Sequence, residues 1–269
     1  MAYTPRINNS QFDSEIWNWP AFVSGDNVNF SLTIELKVHL RQQNPPNGQA
    51  TARIRDADGN RVECVAWTDT DWQDFVSRYV QQVTDFWNNN FILVPPVAYN
   101  DLTYPVPPMP NGRRRNVECW FRVTTPLAAR GAHVVIPVVK LADSTSFFRS
   151  HSRLYSSNDL NPDHYSSDSG RITWEFFTAP HEVGHLLGLG HSNEHSPQCQ
   201  RDPDALICYG ATLDQQTVVM GTGPTLSLDD ARPWRNRVAR HTRTRANDWQ
   251  VQWASTEAAF RGISNIHLH

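Results

Sequence analysis

The sequence predicts an α+β fold, and three observations carry the prediction. Apolar residues alternate strictly with polar ones from Asn29 to Leu40, and apolar residues recur at three- and four-residue steps from Trp72 to Trp87. Strand-like runs then resume at Val117–Val123, His133–Leu141 and Arg171–Phe176, and a helix-rich remainder follows. The bulk composition agrees. At 269 residues, with 39% apolar and 19% charged side chains, ten tryptophans and twelve phenylalanines, the chain can bury a sizeable core. A formal net charge of −3 argues against general attraction to nucleic acid or anionic membranes. No run approaches the roughly 20 apolar residues that span a bilayer.

Taken in order, residues 1–26 carry no clear period. Phe30, Leu32, Ile34, Leu36, Val38 and Leu40 then mark one buried face of a long strand. A turn-rich QQNPPNGQ stretch leads to ATARIRD and RVECVAW, which flank Ala57-Asp58-Gly59-Asn60 and read as a hairpin. Thr68 to Asp71 supplies caps for a helix whose stripe is Trp72, Phe75, Val76, Tyr79, Val80, Val83, Phe86 and Trp87; three asparagines end it. Residues 95–115 read as a proline-rich surface loop closing on Arg113-Arg114-Arg115, a solvated edge. Residues 142–169 are serine-rich and read as loop. Two late helices are expected, around Leu228–Arg240 and Asn247–Phe260. The arginines Arg232, Arg235, Arg237, Arg240, Arg243 and Arg245 crowd this region and read as a solvated helix face.

Four cysteines are too sparse for a disulfide-built scaffold, and none forms a C-x-x-C pair. Cys199 and Cys208 flank a loop short enough to staple. Cys64 and Cys119 lie in strand-like runs, where they can pair or pack as small apolar residues. The first residues show no positive segment followed by an apolar one, so no secretory signal is expected. Export by another route is the expectation, and a cytoplasmic place stays open.

The chemistry concentrates in Thr178 to His191, TAPHEVGHLLGLGH. Residues four apart on a helix project from one face, so His181 and His185 can meet one ion. Glu182, beside the first ligand, reaches a water rather than the ion. Thr178 can cap the helix, and Pro180 falls in its first turn. Gly188 permits the left-handed backbone that ends a helix and turns the chain, after which His191 can return as third ligand. His195 is available to close a fourth position, but it follows His191 too soon to approach from the open side.

This HEVGHLLGLGH segment resembles the zinc-binding signature of the metzincin clan, which includes matrixins, astacins, serralysins and adamalysins. The clan places a methionine turn beneath its metal, and Val218-Val219-Met220-Gly221 is the match; Met1 and Met109 both precede the motif. The resemblance is specific over about residues 171–221. It implies a twisted, mostly parallel sheet with an antiparallel edge strand, a long helix, an active-site helix and a smaller helical C-terminal subdomain. On that plan residues 1–67 form a β-rich extension on a catalytic domain at 68–269, with an upper part at 68–191 and a lower part at 192–269. It also implies one catalytic Zn2+ on His181, His185 and His191, Glu182 as general base, and a monomer that cleaves peptide bonds. Substrate would run along an edge strand, for which His133–Leu141 is the candidate. Where some subfamilies carry a tyrosine after the methionine, this chain has Thr222; Tyr209 is the substitute for a transition-state donor. No matrixin-like latency segment is recognisable. A thermolysin-like third ligand would need Glu194 or Glu257, and an aspartate-liganded variant Asp202, Asp204 or Asp214; either leaves Gly188 and His191 unexplained.

Two other roles stay open at this stage. One is the same chemistry in a delivered toxin or effector, suggested by the lack of signal and latency segments and by Lys37 and Lys140 being the only lysines. The other is a zinc-dependent binding module without catalysis, against which the intact Glu182 speaks.

Overall fold

A computed structural model of the chain describes residues 6–18, 28–96, 116–167, 169–202 and 205–268. The Arg113–Arg115 triplet, Asp204, Met1 and Met109 lie outside them.

The strand foreseen from alternation is β3 (Val28–Gln43), and it forms the centre of the main sheet. Its even-numbered apolar residues from Phe30 to Leu40 are all buried. Its length lets two strands use it in turn: β7 (Asn116–Thr124) runs parallel to residues 28–37, and β8 (Val134–Leu141) runs parallel to residues 38–43. The hairpin strands β4 (Thr51–Arg55) and β5 (Arg61–Val65) extend the sheet beyond β8. On the other flank β6 (Phe91–Val94) and β12 (Gln250–Trp253) follow β7 in antiparallel fashion. The short β1 (Arg6–Ile7) and β2 (Asp13–Asn18) join through an antiparallel β2–β3 pairing, and β9 (Tyr155–Ser156) lies parallel to β8.

The sheet is therefore mixed rather than mostly parallel, because hairpins and returning strands supply most of its neighbours. β8 has β3 on one side, while β9 and β5 pair with it only from Val138 to Leu141, so among the described strands none pairs with the other side of Val134–Pro137. Pro137 is tolerated because it falls before those outer pairings begin. β3, from the first 67 residues, is hydrogen-bonded to β7 and β8 from beyond them, so no break in the sheet falls at residue 67.

Helix α1 (Asp69–Trp87) is capped by the Thr68 side chain, which accepts from the Asp71 N–H. Phe75, Tyr79, Val83 and Trp87, spaced by four, bury its inner face on the sheet. A second sheet has the order β10 (Asp163–Ser166), β11 (Ile172–Phe176), β13 (Ile266–Leu268), all antiparallel. Its middle strand feeds α2 (Thr178–Leu186). The lower part holds α3 (Pro197–Arg201), α4 (Leu213–Gln216), α5 (Arg232–Thr242) and α6 (Thr256–Ala259).

Several expectations are corrected. The first 26 residues contribute β1 and β2, and residues 142–169 contribute β9 and β10. Asn247–Phe260 is helical only at its ends, in a short turn at Ala246–Asp248 and in α6; between them Trp249 is buried, and Val251 and Trp253 face inward on β12 against β6, a period of two. The C-terminal segment therefore returns to both sheets, β12 to the main one and β13 to the small one. Cys64 and Cys119 are buried and free, on β5 and β7 with two strands between them, too far to bridge. Arg237 is not solvated: it is buried, donates to the Phe12 carbonyl at 3.0 Å and stacks 4.2 Å over the Phe12 ring.

Candidate metal centre

Helix α2 is held from two sides. Trp87 Nε1 of α1 donates to the Pro180 carbonyl at 3.0 Å, and the Ala179 N–H donates to the Asp159 carbonyl at 3.3 Å. Phe177 rather than Thr178 occupies the cap position, and its side chain makes no cap bond. The helix ends at Gly188, whose φ is +87°. The Gly188 N–H donates to the His185 carbonyl and the Leu189 N–H to the Gly184 carbonyl, at 2.9 and 3.0 Å, the paired bonds of a left-handed helix end. Two further carbonyls there are satisfied from afar: Leu186 by Gln11 Nε2 and Gly188 by Arg232, each at 3.0 Å.

The reversal at Gly188 returns His191 to the helix. His185 Nε2 lies 3.2 Å from His181 Nε2 and 3.2 Å from His191 Nε2, and the three nitrogens stand within 4.8 Å of one another. Two ligands at about 2.0–2.1 Å from one tetrahedral ion sit about 3.3 Å apart, so the spacing suits a shared ion. The outer ring nitrogens fix the tautomers. His181 Nδ1 meets the Val219 carbonyl at 2.6 Å and His185 Nδ1 the Leu189 carbonyl at 2.9 Å, so each outer nitrogen carries the proton and Nε2 offers its lone pair. Burial and neighbouring imidazoles lower the pKa of His181, burial lowers that of His185, and burial with the His185 and Arg149 charges brings His191 to about 4. The rings are thus neutral at pH 7, as ligands must be.

Met220 is buried beneath this helix. Its Sδ touches the face of Gly184, and its carbonyl accepts from the Ser192 N–H at 2.9 Å. The preceding Val219 supplies the carbonyl bonded to His181. Met220 thus lies against the helix that carries His181 and His185.

Tyr209 also reaches the centre. Its ring centroid is 4.1 Å from that of His191 and 5.8 Å from that of His181. A disulfide between Cys199 and Cys208 closes the loop that carries it. Ser192 Oγ donates to the Tyr209 carbonyl at 2.6 Å, and the Asn193 N–H donates to Cys208 at 2.9 Å. Glu182 lines a cavity of about 130 Å³ with His181, Tyr209, Arg149, Asp159 and Tyr165. Burial and the Asp159 charge raise the Glu182 carboxyl to about 8, against the opposing pull of Arg149.

Other sequence candidates lie elsewhere. Among the described residues, His181, His185 and His191 are the one group of His, Cys, Asp and Glu side chains that could hold a metal ion. His195 is exposed beside Glu194, and the Thr222 hydroxyl turns to the Gln216 carbonyl. Asp202, Asp214 and Glu257 are also outside the group. Sequence reading missed Arg149, from the loop after β8, and Asp159, from the loop after β9, neither of which carries a periodic signal. Asp159 is buried, accepts from the Ser156 N–H and hydroxyl at 3.0 and 2.8 Å, and is pushed up to about 7 by burial.

Comparison of the chain with protein-family models, curated proteins and solved structures returned no match. The donor set of three neutral imidazoles could hold one metal ion and leave a position open to a further ligand.

Proposed function

We propose that this chain is a zinc-dependent endopeptidase, with His181, His185 and His191 holding one Zn2+. The observation that carries the reading is the coincidence of three imidazole nitrogens at ligand spacing with Glu182 in the adjoining cavity. The resemblance of HEVGHLLGLGH and Met220 to the metzincin signature supports it. Nitrogen ligands of this number and spacing suit zinc, which when bound supplies Lewis acidity and brings a water molecule's pKa toward about 7.

The protein's own groups do the rest. Burial alone favours the protonated form of Glu182; beside a bound cation the carboxylate form is favoured instead, and Glu182 can then take a proton from the attacking water and return it to the leaving amine. Tyr209, stacked beside His191, offers its hydroxyl to the oxygen on which negative charge develops. The outer strand of the small sheet, β10, takes the place first expected for β8. Its Asp163 and Tyr165 line the cavity, and Tyr165 packs edge-on against Phe176, which in turn touches His181. An extended peptide paired along β10 would pass the histidines.

The test is a set of three variants. Glu182→Gln should keep one zinc per chain and lose about 10²–10⁴-fold in peptide hydrolysis. His185→Ala should lose the metal and the activity together. Tyr209→Phe should lower kcat by about tenfold or more with little change in KM. Near-normal turnover by Glu182→Gln would remove the general-base assignment.

A further inference from the structure

Resting on the peptidase reading above, we propose that Arg149 sets the specificity of this cleft by taking a carboxylate of the peptide substrate. The main chain of Arg149 is clamped to the hairpin β4–β5. Its N–H donates to Asp56 Oδ2 at 3.3 Å, and its carbonyl accepts from the Ala57 N–H at 3.0 Å. Asp56 is itself fixed by the Asn60 N–H at 2.7 Å. The hairpin, far from the histidines in sequence, is a pedestal that presents one guanidinium to the cavity. The side chain then donates to the Tyr209 hydroxyl at 2.9 Å, with its guanidinium carbon 5.8 Å from the ring centre.

What this cation lacks is a counter-ion. Among the described residues no carboxylate stands within ion-pair distance of Arg149, although Asp159, Asp163 and Glu182 line the same cavity. Asp159 spends its oxygens on Ser156, and Asp163 is hydrogen-bonded by the Thr178 side chain. Elsewhere the partly buried Arg6, Lys37 and Lys140 are each paired with acids. A guanidinium keeps its charge at all working pH values, and its fork presents five N–H groups that fit a carboxylate in bidentate fashion. Half-buried beside the centre, with a neutral hydroxyl as its side-chain partner, Arg149 leaves most of that fork for an anion. Phe147 and Leu206, 72% and 79% exposed, form apolar lips to the same cavity. The substrate class is thus a peptide bearing a carboxylate next to the scissile bond, on an acidic side chain or at a free C-terminus.

Matched peptides differing only as Glu versus Gln, and as carboxylate versus amide at the C-terminus, separate those two sources. Their affinities for the zinc-loaded full chain bearing Glu182→Gln would be read by calorimetry, and their cleavage by the unaltered chain by mass spectrometry. The acidic member of one pair should bind about tenfold tighter or more. Adding Arg149→Gln should bring the ratio to one, and Arg149→Lys should recover part of it. Arg149→Glu should turn the preference toward lysine and arginine. These substitutions keep the main-chain bonds to Asp56 and Ala57. Equal binding within both pairs, no binding of any member, or a preference that survives Arg149→Gln would overturn the proposal. Carboxylate-selective binding without any cleavage would keep Arg149 and remove the peptidase reading; cleavage without selectivity would do the reverse.

Discussion

Replacing a helical glycine by alanine ordinarily adds about 1 kcal/mol to a helix, and at Gly184 the surroundings reverse that sign. A Cβ there would stand 2.3 Å from Met220 Sδ and 3.3 Å from the Trp87 ring. Gly184→Ala should therefore cost about 1–3 kcal/mol in urea unfolding. In a Met220→Ala background the same change should cost at least about 1 kcal/mol less, since the obstructing sulfur is gone. Additive costs would show that Gly184 and Met220 do not share this contact. A second residue couples the fold to pH. Burial, with the charges of Arg237 and Arg240, lowers His241 to about 4. Its folded pKa lies below the usual 6.5, so the unfolded chain binds the extra proton first. Stability is then full above about pH 6.5 and falls as pH drops toward 4, by on the order of 2–3 kcal/mol. His241→Gln should flatten the urea midpoint across that window; an unchanged slope would assign the acid sensitivity elsewhere.

At the scale of elements, the disulfide and the strands show what sequence can carry. Cys199 and Cys208 close a short loop, and the chain-entropy estimate for such a loop is about 2–3 kcal/mol. The double change Cys199→Ser, Cys208→Ser should lose about that much stability. It should leave zinc stoichiometry near one, because His191 is held by the Gly188 turn, while turnover falls as Tyr209 loosens. Loss of metal in that variant would mean the loop, not the turn, places His191. The residues with a strong period were legible: β3 and α1 each repeat an apolar face many times, and His181, Glu182 and His185 inherit their geometry from a helix. Gly188 was legible because few residues other than glycine accept its φ. β12 was missed because four residues, Gln250 to Trp253, alternate too briefly to outweigh helical neighbours. β10 was missed because all four of its residues are exposed, leaving no apolar signal. Arg149 was hidden for a different reason: a loop places it, and loop placement depends on tertiary bonds to Asp56 rather than on local pattern.

Across the whole molecule, the C-terminal segment is what joins the two sheets. One hydrophobic cluster runs from Phe12 through β3, α1 and α2 to Trp249, so both ends of the described chain share a core with the helix that carries His181 and His185. β12 covers the β6 side of the main sheet, and β13 pairs with β11, setting Ile266 against Trp174 and Leu268 against Ile172. β11 runs straight into α2, where the Phe177 carbonyl accepts the His181 N–H at 3.4 Å. Removing residues 266–269 would leave β11 paired with β10 alone, a two-stranded ribbon of marginal stability. The loss should concentrate locally: amide exchange at 172–176 should speed markedly, while amides of β3 and α1 stay protected. Because His181, the first of the proposed ligands, sits one turn beyond β11, zinc affinity should weaken about tenfold or more, and Tm should fall by about 2–4 °C per kcal/mol lost. Unchanged exchange at 172–176 together with unchanged zinc affinity would mean that α1 and the Met220 turn hold α2 without help from the small sheet.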